Sequence, residues 1–327
     1  MKILITGGTG FIGAHLAKLC ATEGHQTHIC DNNHRGRSDE FISDMVENQD
    51  VVFINLDLTN RSEVVKLDRD YDVVFHLAAI NGTENFYTIP YTVMQVAIQS
   101  TANLLDHFMD TKVKFVFSSS SEAYAGSIKM DDSLVPTSET VPCTIEDVLN
   151  ERFSYGGSKL ACEIMINSFH KQYGLDYQII RYHNIYGPRM GTKHVMPQFI
   201  KRAKDKQNPF SIFGAIQTRA FCYVEDAVRS TLDLGLSTNQ GIFHIGNEKE
   251  EIDILSVAKI INEWYENDIE YLIEEAPQGS VNRRCPDTRK IREALGYSAK
   301  VNLKDGLHKT IEWYDKWYED NGTDGLL

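Results

Sequence analysis

Short apolar runs alternate with helically spaced stretches through the first 120 positions of the chain. Residues 3–6 form a brief β-type run, and residues 11–22 have the 3.6-residue spacing of a helix. A second strand is expected over 26–30, ending at Asp31, a third over 51–55 and a fourth over 73–77. Residues 91–108 read as a helix and 114–118 as a fifth strand. The strand runs are continuously apolar rather than alternating, which implies a parallel sheet covered on both faces.

Residues 127–150 carry Pro136, Pro142 and several acidic side chains and read as a long loop. A helix is expected over 158–173, with apolar positions at 160, 161, 164, 165 and 169 and Gly174 as its stop. Residues 175–181 give another strand. Beyond 182 the alternation becomes irregular, punctuated by Pro188, Pro197, Pro209, Pro277 and Pro286. The expected fold is α/β: a Rossmann-type doubly wound parallel sheet over 1–180, with a later return near 218–245. Residues 181–327 would form mainly a smaller, interleaved substrate-binding lobe. Trp313 and Trp317, four apart on a C-terminal helix, read as packing.

Charge narrows the partners. The 327 residues hold 33 Lys+Arg against 46 Asp+Glu, a net charge of −13, which argues against a nucleic-acid binder. It leaves room for an anionic small molecule, because a few arginines in a cleft bind phosphate whatever the net charge. No apolar run approaches the roughly 20 residues of a membrane span. The N-terminal residues read as a strand entering a glycine turn rather than a signal peptide, so a cytoplasmic protein is expected. Cys20, Cys30, Cys143, Cys162, Cys222 and Cys285 form no CxxC pair and read as reduced, mostly buried thiols. No metal is expected; the nearby His25 and His28 have spacing too weak to carry one.

Gly7, Gly10 and Gly13, with Phe11 and Ile12 between them, follow the first strand and open the first helix. Glycines so placed allow a tight turn, close approach to a pyrophosphate and close helix–sheet packing. Asp31, at the end of the second strand, suits a ribose 2′-hydroxyl and repels a 2′-phosphate, which favours NAD over NADP. Arg35 and Arg37 are the counter-signal, or else plain solvated loop charges.

Tyr155 and Lys159 lie four apart at a helix start, on one face. A neighbouring ammonium favours a phenolate, which can take a hydroxyl proton as hydride leaves the same carbon. The fifth strand ends in Ser118-Ser119-Ser120-Ser121-Glu122-Ala123-Tyr124. Hydroxyls and a carboxylate therefore gather at a strand's C-terminal end, where open α/β sheets bind ligands.

Together these segments resemble the extended short-chain dehydrogenase/reductases of the nucleotide-sugar epimerase/dehydratase group. The matching pieces run in order: GGTGFIG at 7–13, Asp31-Asn32, Leu56-Asp57-Leu58, FHLAA at 75–79, SSSSEAY, YGGSK, RYHNIYGPR at 181–189, QTRAF at 217–221 and RRCPD at 283–287. The resemblance implies that Asp31 and Asn32 contribute to the cofactor site and that Asp57 and Leu58 flank the adenine. It implies that Leu77, Ala78 and Ala79 line the cofactor and that Tyr182 lies by the nicotinamide. Ser120 would hydrogen-bond a sugar hydroxyl beside Tyr155, and Lys159 would also hold the nicotinamide ribose. Ser121, Asn184, Arg219, Arg283 and Arg284 would contact the sugar or its diphosphate. A homodimer through the 91–108 and 158–173 helices is implied as well.

Ala97 and Ala220 stand where the group usually has asparagine and aspartate. The segments 81–87 and 139–153 are not generic and are expected to border the sugar. The Ser-Ser-Glu pattern ending in Glu122 resembles GDP-mannose-type 4,6-dehydratases and UDP-glucuronate decarboxylases. The expected first step is oxidation at C4 of a nucleotide sugar, with tightly bound NAD and Tyr155 as base. Glu122-assisted chemistry at C5, or hydride return, would follow. Decarboxylation, with Arg283 or Arg284 beside the carboxylate, is an alternative second step. Others are release of a 4-keto sugar and a non-catalytic NAD-binding regulator.

Overall fold

The structure, a computed structural model, describes residues 1–322 apart from 35, 37, 38, 49 and 278. Arg35 and Arg37, the counter-signal on the cofactor's 2′ position, lie outside the described residues. In chain order the first half runs β1 (Lys2–Thr6), α1 (Phe11–Thr22), β2 (Gln26–Asp31), α2 (Glu40–Glu47), β3 (Val51–Asn55), α3 (Arg61–Val64), β4 (Val73–His76), α4 (Thr83–Thr88), α5 (Pro90–His107), β5 (Lys114–Ser120), α6 (Ala125–Met130), α7 (Phe153–Tyr173) and β6 (Asp176–Tyr182). The second half adds β7 (Ile185–Tyr186), α8 (Val195–Lys204), β8 (Phe210–Phe213), β9 (Thr218–Ala220), β10 (Cys222–Tyr223), α9 (Val224–Leu236), β11 (Gly241–Ile245), β12 (Glu251–Asp253), α10 (Ile254–Trp264), β13 (Tyr271–Glu274), β14 (Arg283–Arg284), α11 (Arg289–Leu295) and α12 (Leu303–Asn321).

Seven strands form one parallel sheet in the order β11-β6-β5-β4-β1-β2-β3, so its last strand comes from the second half. The two-residue period of a strand divides its side chains between two cores. Leu4, Val74, Phe115, Phe117 and Ile179 face α5 and α7, through Leu104, Cys162 and Ile166. Ile3, Ile5, Phe75, Val116 and Ile180 face α1 and α9, through Leu16, Ala17 and Val228. This is the doubly wound α/β architecture. The order reverses beside β1, between β4 and β2, and there the strand ends open a crevice.

α7 begins at Phe153, five residues before the expected start, so Tyr155 and Lys159 both lie within the helix. Gly156 and Gly157 weaken a helix locally. A Cβ on Gly156 would stand 2.5 Å from the Glu122 carbonyl oxygen, so this glycine brings α7 directly onto the end of β5. Part of 127–150 is helical, as α6 continues the turn after Ser120. The second half also builds a three-stranded sheet, β12-β9-β14, which carries the arginines considered below. Trp313 and Trp317 stack at 6.4 Å and pack on the larger core. No helix among the described residues is long and apolar enough to cross a membrane.

Candidate active site

The strand ends shape the dinucleotide side. Gly7 has φ +69°, and a Cβ there would lie 2.8 Å from the Ala78 nitrogen, where β1 and β4 emerge together. A Cβ on Gly13 would sit 2.2 Å from the Gly7 carbonyl oxygen, so only glycine lets α1 close on the turn. Gly10 caps α1 without a side chain, and Phe11 and Ile12 open the helix, leaving its first amides for an anion. Asp31 accepts from Thr9 N at 3.2 Å and Asn33 N at 2.9 Å, fixing the loop beyond the glycines. Asn32 turns its amide oxygen onto His34 N. Asp57 folds onto Thr59, while the buried Leu58 gives its carbonyl to Asn103. Leu77, Ala78 and Ala79 continue from β4, and Ala78 N donates to Thr6 Oγ1. A glycine cradle under a helix N-terminus, with a carboxylate on the next strand, fits NAD.

The candidate proton-handling groups stand at the ends of β5 and α7. Ser120 Oγ accepts from Glu122 N at 3.2 Å, so its own proton stays available to donate. Ser119 points the opposite way and donates to Glu163. Lys159 Nζ donates to Ser118 O at 2.6 Å and lies 5.7 Å from the Tyr155 ring centroid. Burial lowers the Lys159 pKa to about 8. Phe86 of α4 stacks on the Tyr155 ring at 4.9 Å with 12° between planes. Segment 81–87, a border of the site by sequence, thus covers the candidate base. Tyr182 is buried with its hydroxyl against Thr231, 2.7 Å away, so only its ring is left to face a cofactor.

A cluster of arginines, the candidate anion site, lies beside Glu122. β14 runs parallel to β9 with Arg283 opposite Thr218 and Arg284 opposite Arg219. Strand alternation sends Arg283 and Thr218 to one face, where both bind Glu251. It sends Arg284 and Arg219 to the other. The sequence left Arg283 and Arg284 equivalent; the register separates them, and Arg283 lies away from Glu122. Arg284 Nη1 donates to Glu122 Oε1 at 2.8 Å. Its Nε and Nη2 are buried without a partner among the described residues. Arg152 approaches the same Glu122 oxygen at 3.7 Å. Arg219 is held by the carbonyls of Thr218 and Val281, and burial followed by the Arg284 charge lowers its pKa to about 9. Burial alone would raise the Glu122 carboxyl, but Arg284, Arg152 and Arg219 hold it below the usual range.

Ser121 is buried at the start of the turn after β5. Asn184 has φ +42° and donates to Ala220 O, joining the strand ends of the second half. The sequence reading included Phe86 and Arg152 in the two segments expected to border the sugar but singled out neither. Arg152 lies one helical turn before Tyr155, inside the non-generic 139–153 segment, which was the available signal. His28 Nδ1 bonds the Tyr71 hydroxyl. No group of three or more His, Cys, Asp or Glu among the described residues is placed to hold a metal.

A nucleotide cradle beside Ser120, Tyr155 and Lys159 defines an NAD-dependent enzyme of the short-chain dehydrogenase/reductase type. The chain belongs to the NAD dependent epimerase/dehydratase family, whose profile matches residues 3–246. It is 31% identical over 332 residues to the UDP-N-acetyl-alpha-D-glucosaminuronate decarboxylase of Bacillus cytotoxicus, covering 96% of this chain and 97% of that one. Its fold is similar to the UDP-glucose 4-epimerase of Thermotoga maritima, solved with UDP-glucose (TM-score 0.86, 29% identity, 97% and 99% covered). It is also similar to the UDP-glucuronic acid 4-epimerase of Bacillus cereus, solved with UDP-glucuronic acid and NAD (TM-score 0.83, 28% identity, 97% and 100% covered).

Proposed function

We propose that this enzyme decarboxylates a nucleotide-linked uronic acid after oxidising it at C4. The observation that carries this reading is the Arg284 guanidinium, buried, bound to Glu122 by one nitrogen and, among the described residues, unpartnered at Nε and Nη2. A planar carboxylate suits that free edge, because guanidinium and carboxylate pair through two parallel hydrogen bonds. Three arginines against one glutamate also leave a largely desolvated surplus of positive charge, which a uronate diphosphate would neutralise. The Bacillus cytotoxicus relative is named for such a decarboxylation.

Tyr155 takes the proton of the C4 hydroxyl, and Ser120 donates to the same oxygen. Lys159 stabilises the phenolate by its charge. When bound, NAD would supply the acceptor and donor for the hydride exchanged at C4. Gly7, Gly10, Gly13 and Asp31 would hold it, with Leu77, Ala78 and Ala79 along its length. Once C4 is a ketone, the sugar is a β-keto acid. The C5–C6 bond then breaks, its electron pair passes toward the C4 oxygen, C6 leaves as CO₂ and C5 takes a proton. Tyr155 and Ser120 hydrogen-bond the oxygen where that charge gathers. Arg284 holds the carboxylate beside the ionised Glu122, and the charge repulsion between the two is relieved as CO₂ departs.

The exposed apolar side chains Tyr91 and Met94 on α5 and Ile164 on α7 support a homodimer through these helices. The test is to incubate the enzyme with UDP-linked uronic acids and their neutral counterparts, reading CO₂ and product mass. Loss of CO₂ from a uronate is expected. A uronate recovered only as its C4 epimer, or turnover confined to neutral sugars, overturns the decarboxylase reading.

A further inference from the structure

Arg189 belongs to the loop after β7, yet its side chain reaches the cofactor half of the molecule. Its Nε and Nη2 pair with the two Asp39 carboxylate oxygens at 2.8 and 2.9 Å. Its Nη1 and Nη2 also approach the carbonyls of Gly10 and Thr9, at 3.5 and 3.4 Å, within the glycine turn. The guanidinium lies 5.0 Å from the Phe41 ring centroid and is almost wholly buried. Beside it, His15 Nε2 of α1 bonds the Pro188 carbonyl at 3.0 Å. Arg189 adopts φ +66°, a left-handed conformation unfavourable for a side chain of this size. One arginine thus joins the glycine turn, the start of α2 and the loop leaving the substrate-side strands.

A reaction that removes a hydride and later returns it to the same sugar needs its nucleotide to stay bound between turnovers. We propose that the Arg189–Asp39 pair is a latch that retains NAD. Dissociation of the dinucleotide requires the glycine turn to open, and Arg189 holds that turn from across the cleft. A bidentate, buried pair suits the task, because salt screens it little and its planar fork fixes one geometry. The inference rests on NAD binding by this family and is independent of which sugar is used or what happens at C5.

Asp39 offers a clean test. It also caps α2, accepting from Ile42 N at 3.3 Å. Asparagine caps a helix as well as aspartate, so Asp39→Asn weakens the ion pair while sparing the cap. Arg189→Lys keeps the charge but loses the fork. Holoenzyme carrying NAD is mixed with excess fluorescent ethenoadenine NAD, and exchange is followed by emission. Both variants are expected to exchange at least tenfold faster than wild type; Asp39→Asn leaves the buried Arg189 charge unpaired and lowers the melting temperature, whereas Arg189→Lys keeps a cation beside Asp39 and is expected to hold an NAD-free melting temperature close to wild type. Asp39→Glu should restore slow exchange in part. Wild-type exchange rates in both variants overturn the latch. So does faster exchange in Arg189→Lys accompanied by a clearly lowered NAD-free melting temperature, which would mark a general structural brace.

Discussion

Arg284 Nη1 lies 2.8 Å from Glu122 Oε1, and the two residues stand 162 apart in the chain. Arg284 is buried and Glu122 partly so, and two further nitrogens of the guanidinium face no acceptor among the described residues. Removing the cation leaves Glu122 with the more distant Arg152 and removes the carboxylate anchor. Arg284→Met should lower kcat/KM for a uronate by about 10²-fold or more, on the ~2–4 kcal/mol attached to a desolvated charged hydrogen bond. Neutral UDP-sugars should bind as before, which calorimetry would read.

Tyr155→Phe removes the hydroxyl and keeps the ring that stacks on Phe86. Turnover should fall by about 10²–10⁴-fold, the usual contribution of a positioned acid–base group. NAD content, read from the absorbance ratio of the purified protein, should not change. A variant retaining wild-type turnover would remove Tyr155 from the chemistry.

Phe86 reaches Tyr155 from α4 and is itself buried. Phe86→Leu keeps apolar volume and loses the stack, worth ~1 kcal/mol. A roughly fivefold drop in kcat with little change in KM is expected, and Phe86→Tyr should recover it. Steady-state kinetics on the three proteins decide the matter.

Lys159 sets a pH limit. Its folded pKa of about 8 lies below the ordinary value of 10.5, because burial disfavours the charged form. Activity should decline as pH rises through about 8, when the ammonium supporting the Tyr155 phenolate is lost. Lys159→Arg should move that alkaline limb upward. Stability has the opposite sign: the folded state releases this proton first, so stability rises between about pH 8 and 10.5. The gain is about 3 kcal/mol over the window. Urea midpoints should show the rise in wild type and lack it in Lys159→Met.

Arg181 and Glu163 form a buried bidentate pair, 2.9 and 2.7 Å, between β6 and α7. Ser119 donates to the same carboxylate, so the pair also braces the strand that ends in Ser120. Glu163→Gln or Arg181→Met alone should destabilise by about 3–5 kcal/mol, since each strands a buried charge. The double variant should lose less than the sum. Chemical denaturation of the four proteins forms the cycle.

Local patterning alone carried the sheet, the glycine turn, Asp31 and the Tyr155–Lys159 spacing, because each is set by neighbours a few residues away. Apolar runs of four to seven residues bounded by glycines and helical spacings dictate parallel strands with both faces covered. A tyrosine and a lysine four apart share a helix face wherever that helix docks. The helix start at Phe153 was not legible, because Gly156 gains its place from contact with Glu122 across the site.

Tertiary structure alone decided which arginine meets Glu122. Arg283 and Arg284 are adjacent and chemically identical, so no sequence pattern ranks them. The pairing of β14 with β9 fixes the face each presents, placing one on Glu251 and the other on Glu122. The same holds for Arg152, Phe86 and Arg189, whose partners lie 30, 69 and 150 positions away. Composition and spacing record which groups are available within a few turns of chain. Only packing brings distant groups within the few ångströms at which charge and hydrogen bonding act.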